Sequence, residues 1–265
     1  MTKPLRIVYA GDRDISVWVL QYLLERGVRP SALLVSHPKR ASHAETLRAL
    51  CDYLPSDRIL IGTAFRKDEG LQLLRALDID YIVSIHFPYI FPKEVLQIPR
   101  TGVLNLHPAY LPYNRGWHTP SWAILEDTLA GATLHFMDEG IDTGDIIHQL
   151  RVEIQPDDTA DSLYKKIKHM EFDVFREAWP WIESGSFQRH SQDPLAGTTH
   201  RRQDLYRPEV QSLDLKVEAR VGDVIKKLRA LTTNKMDEAA YFEVNGQRYR
   251  IQVRIVRDDS VDAQT

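Results

Sequence analysis

The chain has 265 residues, 43% of them hydrophobic, 9% aromatic and 27% charged, and 34 Lys and Arg against 37 Asp and Glu leave a formal charge of −3. These proportions describe an ordinary globular chain of one large or two smaller domains and exclude a disordered, collagen-like or membrane-embedded one. The single cysteine excludes an internal disulfide framework and a cysteine-rich metal cluster, so a reducing cytoplasm is the expected compartment.

Residues 5–10 read as a first strand, entered directly with no secretory leader pattern. A helix follows from Asp14, with Ile15, Trp18, Val19, Tyr22 and Leu23 on one face and Gly27 at its end. A strand at 32–36, a helix at 42–53, a short strand at 58–61 and a helix at 67–77 continue the alternation. Residues 81–85 and 102–106 read as two more buried strands; the apolar run 81–91 holds His86 and Pro88 and is too short to span a membrane. Residues 132–137 and 145–154 read as strands joined by a loop. Residues 159–184 then form a long helix with Leu163, Ile167, Met170, Val174 and Ala178 as its core stripe. Residues 185–208, polar and holding Pro194 and Pro208, read as a linker. Beyond them come a helix at 221–231 and a hairpin around Asn245-Gly246.

The expected fold is α/β: a Rossmann-like, mostly parallel sheet with helices on both faces in residues 1–184, the linker at 185–208, and a small C-terminal helix and β-hairpin region at 209–265. That last region is too small for a large core of its own, so its apolar face is expected to need the first domain or another subunit. Charge is uneven: residues 1–195 carry 21 basic and 26 acidic side chains, residues 196–257 carry 13 and 8. The basic excess suits a solvated surface or a small phosphate-bearing ligand; a nucleic-acid binder shows denser clustering.

The first βα junction, Ala10-Gly11-Asp12-Arg13-Asp14, lacks the glycine pattern of a dinucleotide site, and neither a P-loop nor a nucleophile elbow occurs. The ten histidines show no metal-ligand spacing, so no metal is expected. Attention falls on Asn105 and His107, two apart at the end of a predicted strand, whose side chains leave one face. In an open parallel sheet that edge is where ligands bind. An amide and an imidazole side by side suit a developing oxyanion, and Asp142, flanked by Gly140 and Gly144, is the carboxylate placed to orient the imidazole. Spacing alone equally allows a structural turn with a capping asparagine. His135 reads as a packed strand histidine and His118 as a loop residue.

The run Asn105-Leu106-His107-Pro108 with Leu111-Pro112, then 131–137 and 141–147, resembles the folate-dependent formyltransferase family, in order from the first strand to about residue 155. The resemblance implies an enzyme that takes a formyl group from N10-formyltetrahydrofolate as co-substrate, with Asn105, His107 and Asp142 as its catalytic set. It implies a folate pocket lined by Phe87, Pro88, Tyr89 and Ile90 on one side and Asp138, Glu139, Gly140 and Ile141 on the other. The loop Asn114, Arg115, Gly116 and Trp117 is similar to the acceptor loop of sugar-nucleotide N-formyltransferases, as is 228–232 followed by 240–242 and a hairpin. The implied acceptor is the amine of a nucleotide-linked amino-dideoxy sugar, with dTDP expected ahead of UDP, in lipopolysaccharide O-antigen biosynthesis. A homodimer through the C-terminal region and a cytoplasmic location go with it, and nucleic acid and membrane are not expected partners. The alternatives are methionyl-tRNA formyltransferase, which usually has a longer and more basic C-terminal domain, and a non-catalytic folate or nucleotide binder. After Gly116 the chain reads His118-Thr119-Pro120, a departure from the commoner sugar-acceptor pattern.

Overall fold

The computed structural model describes residues 4–258; the ends of the expected domains, 1–3 and 259–265, lie outside the described residues. The strands in chain order are β1 (Ile7–Gly11), β2 (Ala32–Val35), β3 (Ile59–Ile61), β4 (Tyr81–Ile85), β5 (Gly102–His107), β6 (Arg115–Gly116), β7 (Ala130–Phe136), β8 (Ile146–Val152), β9 (Thr199–His200), β10 (Ala240–Val244) and β11 (Gln247–Ile251). The helices are α1 (Arg13–Glu25), α2 (Ala44–Leu50), α3 (Asp68–Ala76), α4 (Lys93–Leu96), α5 (Thr119–Leu125), α6 (Ala160–Ser184), α7 (Pro208–Gln211) and α8 (Val221–Ala230). The chain divides into two compact units. One holds the residues up to His107, Ala132–Leu150 and Met170–Gln192; the other holds Pro108–Gly131, Arg151–His169 and the residues from Asp193 on.

In the first unit the main sheet runs β3-β2-β1-β4-β5-β7-β8. Strands β3 to β5 pair in parallel, as their unbroken apolar runs require when both faces are covered. Val8, Ala10, Leu34, Ile82 and Val103 meet Phe65, Leu74 and Val95 from the α3–α4 side. The alternate residues Ile7, Tyr9, Leu33 and Val83 are equally buried, so the opposite face is covered too. The α/β sheet with flanking helices is therefore as the sequence predicts. The antiparallel step from β5 to β7 is not visible in the sequence; its register sets Asn105 opposite His135.

Helix α6 continues through Pro180, which the periodic core stripe demands but proline opposes, since it removes the hydrogen bond to Arg176 O. The hydroxyl of Tyr22 donates to that carbonyl at 3.3 Å, which relieves the loss. Asp12 caps α1 and ties two loops at the carboxyl edge of the sheet: its Oδ1 accepts from the backbone N–H of Arg13, Ser42 and His43 and from the Ser42 hydroxyl. Burial pushes its pKa up, but these N–H donors and Ser36 outweigh burial and hold it below the usual carboxylate value.

In the second unit α5 packs against α8, and Trp122, Leu205, Leu231 and Ala240 make a small core with Leu125, Val210 and Leu228. The predicted hairpin is present: β10 and β11 are antiparallel, and Asn245 and Gly246 both have positive φ, the primed turn that Asn-Gly favours. The stretch 185–208, read as a linker, contains β9, which pairs in parallel with β6. Two-residue strands leave no periodic trace in a sequence.

Candidate active site

Strand β5 ends at His107, and the loop carrying Asp142 joins β7 to β8. Asn105 Nδ2 donates to Asp142 Oδ1 at 3.3 Å, and His107 Nδ1 lies 3.6 Å from Asp142 Oδ2. The three residues singled out by spacing are thus brought together, and all three side chains are largely withdrawn from solvent. His135 joins them from β7: its Nε2 is 3.1 Å from Asn105 Nδ2 and 3.5 Å from Asp142 Oδ1. Its Nδ1 is 2.7 Å from Phe136 O, an atom that only accepts, so Nδ1 carries the proton. In the neutral ring Nε2 then accepts from Asn105. The amide consequently points one hydrogen at an imidazole and the other at a carboxylate, which fixes its orientation. His135 is the packed strand histidine expected, and it also orders the asparagine.

Local chemistry explains the Asp142 loop. Asp138 Oδ1 accepts from Gly140 N at 2.9 Å and from the Thr143 hydroxyl at 2.6 Å, closing a tight turn. Asp142 itself has φ 52°, a conformation that aspartate tolerates better than most residues. A Cβ on Gly144 would lie 2.0 Å from Phe136 O, so only glycine permits that approach. Gln192 then pins the loop from outside: its Nε2 donates to Asp142 O at 2.9 Å and Gly144 O at 2.8 Å. Nothing in the sequence marks Gln192, which lies in a polar stretch far from the motif.

The folate-wall candidates fall in two segments of this same unit. Phe87 packs in a ring cluster with Phe65, Tyr89 and Phe91 at centroid distances of 5.6, 5.1 and 5.6 Å. The Tyr89 hydroxyl accepts from His37 N, Pro88 is exposed, and Ile90 is 82% exposed. On the other segment Asp138 and Gly140 form the turn, and Ile141 is 54% exposed. Lys93, just past the first segment, pairs with Glu139 of the second at 2.6 Å. An open cavity of about 600 Å³ beside Leu5, Val28 and Pro180 holds none of these residues. Among the described residues no group of three His, Cys, Asp or Glu is arranged to hold a metal ion, and no helix is long and apolar enough to cross a membrane.

In the second unit the acceptor-loop candidates go to different environments. Asn114 is buried, with Nδ2 on Thr128 Oγ1 at 2.8 Å and its backbone N on Thr198 Oγ1 at 3.0 Å. Arg115 is 6% exposed and turned inward, with Nη2 3.5 Å from Asp193 O. Gly116, at φ 92°, passes so close to β9 that a Cβ would lie 2.3 Å from His200 O. Trp117 is 49% exposed. His118 follows in a left-handed conformation ahead of α5, with Nδ1 3.6 Å from Glu238. Burial pushes the His118 pKa down, against the opposing pull of Glu238 and of the Arg202 carbonyl.

A hydrogen-bonded amide, two imidazoles and a carboxylate at the carboxyl edge of such a sheet define a class of site suited to group transfer at a carbonyl. The formyl transferase family matches residues 33–179, and the N-formyltransferase dimerization C-terminal domain matches residues 207–257. A methionyl-tRNA formyltransferase of Agathobacter rectalis is 28% identical over 97% of this chain and 82% of its own length. Four further curated methionyl-tRNA formyltransferases are matched over 60–64% of theirs, so the chain spans less than two thirds of those relatives. Among solved structures, a 4-N formyltransferase from Francisella tularensis superposes with a TM-score of 0.79 at 23% identity, over 97% of this chain and all of that one. The formyltransferase PseJ from Anoxybacillus kamchatkensis, solved with UDP-4,6-dideoxy-4-formamido-L-AltNAc and tetrahydrofolate, shares 28% identity with a TM-score of 0.51, over 74% of this chain and 97% of that one. The chain belongs to the formyl transferase family, a family of formyl-transferring enzymes.

Proposed function

We propose that the protein moves a formyl group from N10-formyltetrahydrofolate to the amine of a nucleotide-linked amino-dideoxy sugar, with dTDP the first nucleotide to test and UDP the second. The observation that carries the reading is the convergence of Asn105, His107 and Asp142, with His135 holding the amide. The folate supplies an activated formyl carbonyl. The acceptor amine attacks its carbon, the carbonyl oxygen becomes an oxyanion, and collapse expels N10. His107, as imidazolium, and Asn105 donate to that oxyanion. Asn105 frees a hydrogen for the purpose from its longer contact, the 3.3 Å bond to Asp142. Asp142 orients His107 and takes the proton lost by the amine, directly or through water, and that proton returns to N10 as it leaves.

Phe87, Pro88, Tyr89 and Ile90 with Asp138, Glu139, Gly140 and Ile141 are the proposed folate contacts. The exposure of Ile90 and Ile141 supports this, since apolar side chains open to solvent are available to cover a flat ring, and Ile141 directly precedes Asp142. Asn114, Arg115, Gly116 and Trp117 are the proposed acceptor loop, with Trp117 facing the ligand and the other three framing it. A homodimer through 207–257 fits the exposed apolar side chains Val221 and Ile225 of α8; light scattering on the eluted protein should give twice the chain mass. A cytoplasmic location accompanies the folate donor.

The deciding experiment incubates the protein with N10-formyltetrahydrofolate and a panel of dTDP- and UDP-linked amino sugars, read by mass spectrometry. A gain of one formyl unit on one member is expected. The curated relatives favour methionyl-tRNA as the second reading. Formylation of that tRNA with no sugar modified, accompanied by tight binding that weakens steeply with salt, would replace the sugar assignment.

A further inference from the structure

Trp117 presents its ring beside an arginine that neither the motif nor the loop announces. The guanidinium of Arg202 stands over the indole, 5.5 Å from the centroid, within cation–π range. The pair is fastened on both sides. Trp117 N donates to His200 O at 3.0 Å, and His118 Nε2 donates to Arg202 O at 3.1 Å, so the backbone of Trp117 and the ring of His118 hold the end of β9 and the turn after it that carries the arginine. Beneath, Tyr206 sits edge-on to His118 at 5.8 Å and donates its hydroxyl to the buried Glu238 at 3.2 Å. Positive φ at Asn114, Gly116 and His118 keeps this turn in a backbone state that the surrounding bonds must hold, as at ligand-binding turns.

Charge accounting isolates Arg202. The nearby carboxylates are committed: Glu238 to Lys235 and Tyr206, Asp204 to Arg207, Glu126 to His200. Arg202 has no ion-pair partner among the described residues, and Arg201 adds a second exposed cation beside it. Arg115, the cation of the acceptor loop, is turned inward and does not meet solvent phosphate as it stands. An exposed indole face and an unneutralised forked donor, brought together by the hydrogen bonds of their backbones, make a platform for a flat ring that carries an anion.

We propose that Trp117 and Arg202 form the nucleoside-diphosphate platform of the acceptor site, Trp117 stacking the base and Arg202 binding the diphosphate. The assignment rests on the sugar-nucleotide reading above and gives the phosphate-binding role to Arg202. A stacked ring takes up the indole face at little entropic cost, and the diphosphate supplies the counter-charge that Arg202 lacks.

Calorimetric titration with dTDP, thymidine, inorganic pyrophosphate and 5-formyltetrahydrofolate tests it on the full chain and on Trp117→Leu and Arg202→Gln, both exposed positions. Each variant should weaken dTDP about tenfold or more, the scale of losing one stacked base or one charge-assisted phosphate contact. Thymidine should respond to Trp117→Leu alone, pyrophosphate to Arg202→Gln alone, and the folate to neither. Unchanged dTDP affinity in both folded variants overturns the platform and leaves the sugar-nucleotide reading standing. Loss of folate instead of dTDP assigns the pair to the donor and overturns the proposal. Absence of any nucleotide binding by the unaltered chain removes the sugar-nucleotide reading and the platform with it.

Discussion

Gln192→Ala tests whether the Asp142 loop is held from outside the motif. The substitution removes two hydrogen bonds, of 2.9 and 2.8 Å, to Asp142 O and Gly144 O. At about 0.5–1.5 kcal/mol net for each, the loop loses ~1–3 kcal/mol of hold. The half-buried position lets water replace part of this, so the lower half of the range applies. A tenfold change corresponds to about 1.4 kcal/mol, so kcat should fall roughly tenfold as the carboxylate spends less time beside His107. The reacting side chains remain, so the loss should stay short of the ~10²–10³ typical of deleting an oxyanion donor. Steady-state formyl transfer gives kcat, and thermal melting, expected to drop by a few degrees, reports the loop and its support. Gln192→Glu should be at least as poor, because a carboxylate cannot donate to two carbonyls. Unaltered kcat and melting in Gln192→Ala would show that the loop holds itself, and the reasoning would be wrong.

Asn105→Ala and His107→Ala should each lower kcat by at least ~10²–10³ with circular dichroism unchanged, and near-normal turnover in either folded variant refutes its place in the reaction. Gly116→Ala places a Cβ 2.3 Å from His200 O at a φ of 92°, so the β6–β9 pairing must open; acceptor KM should rise much more than folate KM, and equal changes would argue against a local effect. Asp12 has a depressed folded pKa, so its stabilisation is complete above the unfolded carboxylate value of about 3.9 and is lost as pH falls through the folded value. Asp12→Ala, which removes both the capping oxygen and the titrating group, should therefore lower stability at neutral pH, by about 0.5–2 kcal/mol as for a lost cap, and flatten the acid limb of the pH–stability curve; a curve parallel to that of the unaltered chain would contradict this.

Much of this protein was legible from residue order alone. The alternating apolar runs and helical stripes specify the α/β sheet, because burial on two faces leaves a continuous apolar strand and burial on one leaves a 3.6-residue period. Asn245-Gly246 specifies its hairpin, since both residues tolerate the positive φ that the turn needs. Asn105, His107 and Asp142 stand in one spaced motif, and strand alternation puts the first two on one face.

Other features depend on pairing between distant segments, which no local pattern encodes. The antiparallel register of β5 with β7 makes His135 the partner of Asn105; a shift by one residue would have turned that histidine to the opposite face. Gln192 reaches the Asp142 loop from a segment with no periodicity, and β9 brings Arg202 to Trp117 while Arg115 turns inward. Local sequence decides which conformations and chemical groups are on offer. Tertiary packing decides which of them meet, because a hydrogen bond or a ring contact forms only where two separate stretches of backbone have already been fixed in place.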